Sequence, residues 1–291
     1  MTTVSMVPGG SAYLPMPTAD AGYDRALVNQ RFIRNYASTS QTSSPMHVWA
    51  EKYNGQGQAA FIGEGDLKPA ISFSLRTKST TAKKVGVSAK FTKETLQDIP
   101  GFMAELQTDV VDAIDIKEEE KLLNGDGTGD DPLGVIPQAT TYVLTTIKTK
   151  NANNFDAIKA AFTQLTTLNY RPNICFINPI DSANMELTKA SDGHYLLPPF
   201  STADGTVISN VRVQAVNQIP VGKFLLGDFS KFYIKDYVGL EVVLGYENDD
   251  FSKGLVTVVG DKRILTYIKE HQKPGFLYGT FATIKAAIEE A

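Results

Sequence analysis

Residues 71–91, ISFSLRTKSTTAKKVGVSAKF, alternate apolar and polar side chains over a stretch much longer than an ordinary strand. Ile71, Phe73 and Leu75 fall on one face of such a strand, with polar residues between them. Together with the strand-like segment MHVWAEKY before it, this run predicts a long two-stranded ribbon. Because isolated two-stranded hairpins are only marginally stable in water, the ribbon must rest against the body or against another molecule.

Residues 1–45 show neither helical nor strand periodicity. They begin with the Gly/Pro-rich segment VPGGSAYLPMPTADAG and end near the small polar tract NYASTSQTSSP. A short helix is expected only within residues 25–34, RALVNQRFIR. Since this stretch cannot bury a core of its own, it is expected to be either disordered or an arm laid on another surface.

The clearest helix is predicted over about residues 96–124. Thr92 or Thr95 is expected to cap its approach, and Pro100 suits its first turn. Apolar residues recur along it at helical spacing, which predicts one buried stripe. The acidic run 118–120 is expected on or near the solvent side of this helix.

The rest of the chain mixes helices and strands without a regular strand-helix-strand rhythm, which predicts an α+β fold rather than a doubly wound one. Helices are expected over Asn154–Leu168, with Asn154 as the cap, and over Asp181–Ala190. Strands are expected around TTYVLTTIKT, NICFINP, VRVQAV, KFLLGD, FYIKD, LEVVLG and LVTVVGDKRILTYI.

Composition narrows the class of protein. The content is 42% hydrophobic and 21% charged, and the net charge is −4, which argues against a chain built mainly to grip nucleic acid. Residues 1–90 carry ten Lys/Arg and five Asp/Glu, whereas the remaining 201 residues carry eighteen and twenty-seven. This asymmetry either arises by chance or allows the basic residues 1–90 of one copy to attract the acidic remainder of another copy. No apolar run reaches the length of a membrane span.

The loop GDGTGDD follows the long helix after Asn124, where Asn-Gly is typical of a helix end. It lacks the lysine of a P-loop, the GxGxxG spacing and the closing glutamate of an EF-hand. A structural turn is therefore predicted, and a cation site at its aspartates is the less favoured alternative. The turn residues are Gly125, Asp126, Gly127 and Gly129.

Catalytic signatures are missing from the sequence. His47, His194 and His271 lie in unrelated contexts and form neither a zinc motif nor part of a Ser-His-Asp pattern. Cys175 sits in a buried-strand pattern, where a structural cysteine is expected. The sequence predicts no cofactor and no conventional enzyme.

One segment resembles a known family. EEEKLLNGDGTGDDPLGVI, residues 118–136, is similar to the signature of HK97-type major capsid proteins of tailed phages. Further segments resemble that family in the same order along nearly the whole chain: PGGSAYLPMP, FIGEGDLKPAISFSLRTKST, INPIDSANMELTKASDGHYLL and DDFSKGLVTVVGDKR. The second includes the family's E-x-x-x-KP element at Glu64, Lys68 and Pro69.

The resemblance implies an HK97-like capsid fold and a shell-forming structural protein. Copies would assemble as pentamers and hexamers into an icosahedral head around double-stranded DNA, without sequence-specific contacts and without a membrane. The portal protein is an implied partner, with scaffolding and decoration proteins as further candidates. The protein would be assembled in the host bacterial cytoplasm and reside in the virion.

The same resemblance implies a division of the chain. The expected parts are an N-terminal arm (1–45), an extended loop or E-loop (46–84), a P domain (85–150, spine helix about 96–124), an A domain (151–231), P-domain strands (232–268) and a C-terminal return to the A domain (269–291). Candidates for contacts between copies are Arg25, Arg31, Arg34, Glu64, Lys68, Lys83, Lys84, Glu118, Glu119 and Glu120.

Two family features are expected to be absent. Some members join a ribbon lysine to a neighbour's asparagine with help from a buried glutamate. Lys68 matches the lysine and is expected at the base of the ribbon, but Gly254 and Asp261 stand at the other two positions, so no crosslink is predicted. Many relatives also carry an N-terminal assembly domain that a protease removes. Here the sequence is either a mature form or one that never had this domain, and the initiating methionine favours the second expectation.

Two other functions remain as alternatives. An encapsulin-type nanocompartment has the same fold and a similar subunit length, although its usual N-terminal helix is a poor match to PGGSAYLPMP. A small metal-dependent hydrolase would have to use Asp126, Asp130 and Asp131, with no nucleophile or base to support them.

Overall fold

A computed structural model describes residues 31–94, 102–189, 194–195 and 207–290. Arg25, Thr95 and Pro100 lie outside the described residues, as do most of the expected arm and the end of the helix expected to reach Ala190. Strands and helices are numbered below in chain order. Among the described residues, no helix is long and apolar enough to cross a membrane.

A four-stranded sheet and the long helix packed against it form the first half of the molecule. The strand order is β1 (Ser38–Gln41), β9 (Tyr233–Gly245), β10 (Leu255–Tyr267) and β4 (Lys83–Thr92). β1 runs parallel to β9, and the other neighbours are antiparallel. Both FYIKD and LEVVLG therefore belong to one strand, β9, rather than to two.

Helix α2 (Phe102–Asn124) packs across this sheet. Leu106, Val110 and Ile114 are buried against Val258, as the helical spacing predicts. Gly260 permits the close approach, because a Cβ there would lie 2.4 Å from Cγ1 of Val110. Thr92 ends β4 directly before two helical residues, 93 and 94, and its expected capping role stays a prediction.

A five-stranded sheet forms the second half of the molecule. Its order is β11 (Phe276–Thr280), β8 (Lys223–Gly227), β5 (Ile174–Ile177), β7 (Val211–Ala215) and β6 (Val207–Ile208). Helices α3 (Asn154–Thr167) and α6 (Phe281–Ile288) share one apolar cluster with this sheet, and Cys175 lies inside that cluster. A second cluster joins the two halves, with α1 (Ile33–Tyr36) and the end of α2 packed against Phe176 and Phe229.

Several expected elements differ in detail. Asn153, not Asn154, caps α3, since its side chain accepts from the Asp156 amide and Asp156 accepts from the Asn153 amide. Helix α4 spans Pro179–Glu186, earlier at both ends than expected. The structure also contains α5 (Asp250–Lys253) and 3-10 turns at Ile136–Gln138, Phe229–Lys231 and Glu270–Gly275.

The strand expected at TTYVLTTIKT is wrong. Residues 140–149 contribute only two isolated bridges, Thr140 with Leu277 and Thr149 with Glu289. This segment runs along the edge of the second half. Its apolar residues Tyr142 and Ile147 pack against the apolar cluster that α3 and α6 share with the five-stranded sheet. Apolar alternation alone therefore did not distinguish an edge segment from a ladder-forming strand.

The predicted two-stranded ribbon is confirmed. Strands β2 (Met46–Gln56) and β3 (Ser72–Thr81) pair antiparallel from Met46–Thr81 to Gln56–Ser72. The ribbon is shorter than the alternation suggests, because the chain turns at Ala82 and residues from Lys83 onward join the four-stranded sheet. Lys83 and Lys84 therefore lie on β4 and not on the returning strand of the ribbon.

Candidate functional site

The base of the ribbon stacks on the four-stranded sheet through aromatic rings. Trp49 lies 4.5 Å from Tyr267, which lies 4.9 Å from Tyr233, both distances between ring centroids. His47 lies 5.0 Å from Tyr267 in the same group. These contacts fix where the ribbon leaves the body, and offset ring pairs of this kind stabilise by about 0.5–1.5 kcal/mol each.

A buried carboxylate fastens the same base. Glu51 accepts a hydrogen bond from the Trp49 indole Nε1 at 2.6 Å and from the Glu270 backbone N–H at 2.9 Å. Lys78 of β3 adds an ion pair with Glu270 at 3.6 Å. Both strands of the ribbon are therefore tied to the turn that follows β10.

The opposite face of the ribbon presents four apolar side chains to solvent among smaller polar ones. Phe73 is 56% exposed and Leu75 is 69% exposed, with Met46 and Val48 about half exposed on the same face. The Lys52 ammonium lies 4.7 Å from the centroid of the Phe73 ring. The predicted clustering of apolar residues on one face is confirmed for β3, and this face has no cover within the described chain.

The tip of the ribbon, residues 57–71, extends this apolar surface. Phe61 is fully exposed and Leu67 is 94% exposed. Glu64 and Lys68 are exposed in the same tip. Lys68 was expected at the base of the ribbon, and that expectation is wrong, because the base lies at the β2 start and β3 end.

The segment 31–41, which we call the arm entry, is built into the body. Phe32 and Ile33 are buried in the cluster that joins the two halves. The Tyr36 hydroxyl donates to Gln214 Oε1 at 2.9 Å, and β1 extends the four-stranded sheet. The arm entry therefore contacts both sheets and the end of α2.

A buried charge cluster lies beneath the arm entry. Arg34 donates to Asp236 at 2.7 Å and 3.0 Å and to Glu118 at 2.5 Å. Lys262 Nζ lies 2.7 Å from the second oxygen of Glu118. Burial alone would raise the pKa of Asp236, but the Arg34 and Lys262 charges hold it below its usual range.

Glu119 occupies the adjacent position and points into the arm entry. Its two oxygens accept from the backbone N–H groups of Phe32 and Ile33, both at 3.3 Å. Burial, helped by the neighbouring Glu118 charge, raises the pKa of Glu119 to about 7. Glu118 and Glu119 are each only 3% exposed, so their expected place on the solvent side of the helix is wrong.

The other residues predicted at contacts between copies have partners in the same chain. Arg31 pairs with Asp115, Lys84 with Asp261, and Glu120 with Lys117. Lys83 donates to the Gly129 carbonyl. For these residues, and for Arg34, Glu118 and Glu119, a role between copies stays a prediction.

The loop after α2 is held by its own residues. Asp126 accepts from the Thr128 amide at 2.9 Å and from the Thr128 hydroxyl at 2.7 Å, which lowers the pKa of Asp126. Gly127 and Gly129 have φ of 76° and 55°, and a Cβ at Gly125 would lie 2.1 Å from the Pro132 carbonyl oxygen. These contacts account for the glycines as turn residues.

In the described part of the chain, the candidate metal ligands do not gather into a site. Across the described ranges, no group of three or more His, Cys, Asp and Glu side chains is placed to hold a metal ion. Cys175 is fully buried, and burial raises the pKa of its thiol well above the usual range, so it packs as a small apolar residue.

Sequence reasoning missed three functional features. The aromatic stack had a signal in His47 and Trp49, which alternate along β2, but their partner Tyr267 is more than 200 positions away. Lys262 gave little signal, because it lies between Asp261 and Arg263 in a charged run that reads as solvent-facing. Asp236 gave none, since an acidic residue in a sheet strand is usually solvent-facing.

Comparisons with known proteins agree on one family. The model of the phage capsid family matches residues 11–264. The major capsid protein of Enterobacteria phage HK97 is 23% identical over 253 residues, which cover 86% of this chain. This chain spans 65% of the length of that relative.

Solved structures share the fold. A chain from Microbacterium phage Oxtober96 aligns with a TM-score of 0.73 at 15% identity, covering 92% of this chain and 96% of its own. The capsid of an empty GTA particle computed with C5 symmetry aligns with a TM-score of 0.73 at 17% identity and the same coverage. Mycobacterium phage Bobi gives 0.71 at 12% identity, covering 95% and 96%.

The α+β architecture is thus that of HK97-like capsid chains, and the family match extends from residue 11 through most of β10. With most of its length matched by the family model, this chain belongs to the phage capsid family.

Proposed function

We propose that this protein is a major capsid protein. Copies assemble as pentamers and hexamers into an icosahedral shell that encloses double-stranded DNA and is held together without covalent bonds. The observation that carries the proposal is the uncovered apolar face of the ribbon, formed by Met46, Val48, Phe73 and Leu75. A ribbon of two strands needs cover on such a face, and a neighbouring copy supplies it.

The energetics favour cover by another chain. Full burial of a Leu or Phe side chain contributes about 1.5–3 kcal/mol of free energy. These side chains are only half buried within the chain, so covering them during assembly would contribute a sizeable part of that amount. In a shell this gain is repeated at every subunit. Modest contributions per contact therefore suffice to hold a large particle.

The parts of the fold correspond to those of the family as follows. The four-stranded sheet with α2 is the P domain and its spine helix, the five-stranded sheet with α3, α4 and α6 is the A domain, and the ribbon is the E-loop. In this proposal the E-loop ends with β3 at Thr81 and the P domain resumes with β4 at Lys83, which is supported by the change of sheet between these two strands.

Partners follow from this role. The shell needs a portal for DNA entry, and scaffolding and decoration proteins are further candidates. DNA is contained without sequence-specific contacts, in keeping with a net charge of −4. Assembly takes place in the bacterial cytoplasm, and the mature protein belongs to the virion.

Electron microscopy of the chain expressed alone, after size-exclusion chromatography, tests the proposal. We expect closed hollow shells, which would also show that no scaffold is obligatory. Loose pentamers and hexamers would support the capsid role and indicate a required scaffold. A discrete small oligomer with no tendency to form curved lattices would contradict the proposal.

Shells are expected to lack covalent crosslinks. Gly254 ends α5 with φ of 65° and has no carboxamide, and Asp261 is paired with Lys84. Lys68 therefore has no amide to attack at the position that the family uses. Denaturing electrophoresis of purified shells should give a single monomer band, identical for wild type and Lys68→Arg. A ladder of multimers that Lys68→Arg removes would show that this prediction is wrong.

A further inference from the structure

The charge cluster beneath the arm entry contains more acids than bases. Within the described residues it holds four carboxylates and three cations. The carboxylates are Asp115, Glu118, Glu119 and Asp236, and the cations are Arg31, Arg34 and Lys262. With every group ionised, the cluster carries one uncompensated negative charge. Glu118, Glu119 and Lys262 are buried and the other four groups are partly exposed, so the cost of such a charge is greatest at the buried glutamates.

Three of the carboxylates have a cation in direct contact. Glu118 contacts Arg34 and Lys262, while Asp236 contacts Arg34 at 2.7 Å. Asp115 contacts Arg31. Each of these three carboxylates therefore has a cationic side chain that offsets its charge.

Glu119 is the exception within this cluster. Its hydrogen-bond donors are the uncharged backbone N–H groups of Phe32 and Ile33, and Arg31 acts on it only as a nearby charge. The adjacent Glu118 opposes its ionisation. The one proton that would balance the cluster therefore belongs on Glu119.

We propose that Glu119 is a proton-controlled clasp that holds the arm entry, residues 31–41, against helix α2 within a single chain. The protonated acid balances the cluster, and its remaining carbonyl oxygen still accepts from one of the two arm N–H groups. The ionised form leaves a buried charge that is relieved when the arm entry separates and water reaches Glu119. The clasp is intramolecular and does not depend on shell formation.

The direction of the pH effect follows from linkage. The pKa of Glu119 is about 7 when the arm entry is in place and returns toward 4.5 when it is released. The clasp is thus strongest below about pH 4.5, weakens as pH rises, and reaches its weakest state above pH 7. Over that range the equilibrium for release increases on the order of a hundredfold.

Hydrogen exchange measured by mass spectrometry on the full chain tests the clasp. Protection of peptides covering residues 31–41, corrected for intrinsic exchange rates, is expected to fall on the order of a hundredfold from pH 5 to pH 8.5. Glu119→Gln, neutral and nearly isosteric, should remove most of this fall. Glu120→Gln is the matched control, because Glu120 is exposed on the same helix and should leave the wild-type profile unchanged.

Two results would overturn the clasp. One is wild-type protection of residues 31–41 that does not change between pH 5 and pH 8.5, which needs no variant at all. The other is a Glu119→Gln chain that keeps the wild-type dependence on pH. Glu119→Met, also neutral and of similar length, is expected to flatten the profile in the same way if the glutamine variant does not fold.

Discussion

Replacing Phe73 and Leu75 together with serine is expected to abolish shell formation while leaving the subunit folded. Both side chains lie on the face of the ribbon directed away from the body, where they contribute little to the chain's own core. Their removal therefore costs the isolated subunit little free energy of folding. In the proposed shell the same face is covered by a neighbouring copy, so every contact of this kind loses most of its apolar burial.

The measurement is the fraction of protein in shells by sedimentation and electron microscopy, beside thermal unfolding of the unassembled subunit. Thr77→Ser with Ser79→Ala is the matched control, because these residues share the ribbon face but carry little apolar surface. We expect normal shells from the control and subunits or capsomers from the Phe73/Leu75 variant. Normal shell yield from that variant would show that this face is not the assembly surface. A large decrease in the melting temperature of its subunit would show that the face stabilises the fold of the single chain.

Lys262→Met should destabilise the subunit by about 3 kcal/mol, since removal of one partner from a buried ion pair leaves the other charge uncompensated. Lys262 is 5% exposed and its ammonium lies 2.7 Å from Glu118, whose side chain is also almost fully buried. Arg34 remains as a second partner for Glu118, which keeps the expected loss toward the low end of the range for such pairs. Methionine retains the volume of the lysine stem and isolates the effect of the charge.

Urea unfolding followed by the fluorescence of Trp49 measures this loss, because Trp49 stacks on Tyr267 at the end of the same strand, β10. Lys117→Met is the control, because the Lys117–Glu120 pair is about half exposed and such surface pairs contribute at most about 0.5 kcal/mol. The double variant Lys262→Met with Glu118→Gln should recover part of the stability. Equal effects of Lys262→Met and Lys117→Met on the free energy of unfolding would mean that the buried ion pair contributes no more to stability than a surface pair.

The ribbon shows what a periodic pattern can predict and what it cannot. Alternation correctly indicated extended strands, but the apolar residues before and after the polar stretch 76–84 occupy the same odd-numbered positions, so the pattern does not mark the end of the ribbon at Ala82. On β3 the apolar residues Phe73 and Leu75 face solvent, whereas on β4 Val85 and Val87 pack under α2. The same period therefore describes an uncovered ribbon and a half-buried sheet strand, and only the position of α2 separates them.

The acidic end of α2 shows a different limit. Helical spacing correctly placed Leu106, Val110 and Ile114 in the core, because burial of a helix face depends on residues three and four apart. Burial of Glu118 depends instead on Arg34 and Lys262, which lie 84 and 144 positions away. Glu119 is held by the backbone N–H groups of Phe32 and Ile33, which are similarly distant in sequence. An acidic run on a helix is usually solvated, so no local rule indicates that these two carboxylates are buried.

The sequence by itself determined the elements whose physics is local: the ribbon strands, the amphipathic long helix, the glycine turn after it, and the family signature carried by that turn. It also determined the α+β class, because runs of strand and helix patterns are mixed along the chain. Only the tertiary structure decided which apolar faces are covered, where the ribbon is fastened, and which carboxylate lacks a cation. These depend on contacts between distant parts of the chain, where the cost of burying a charge or an apolar face is set by neighbours that no local pattern specifies.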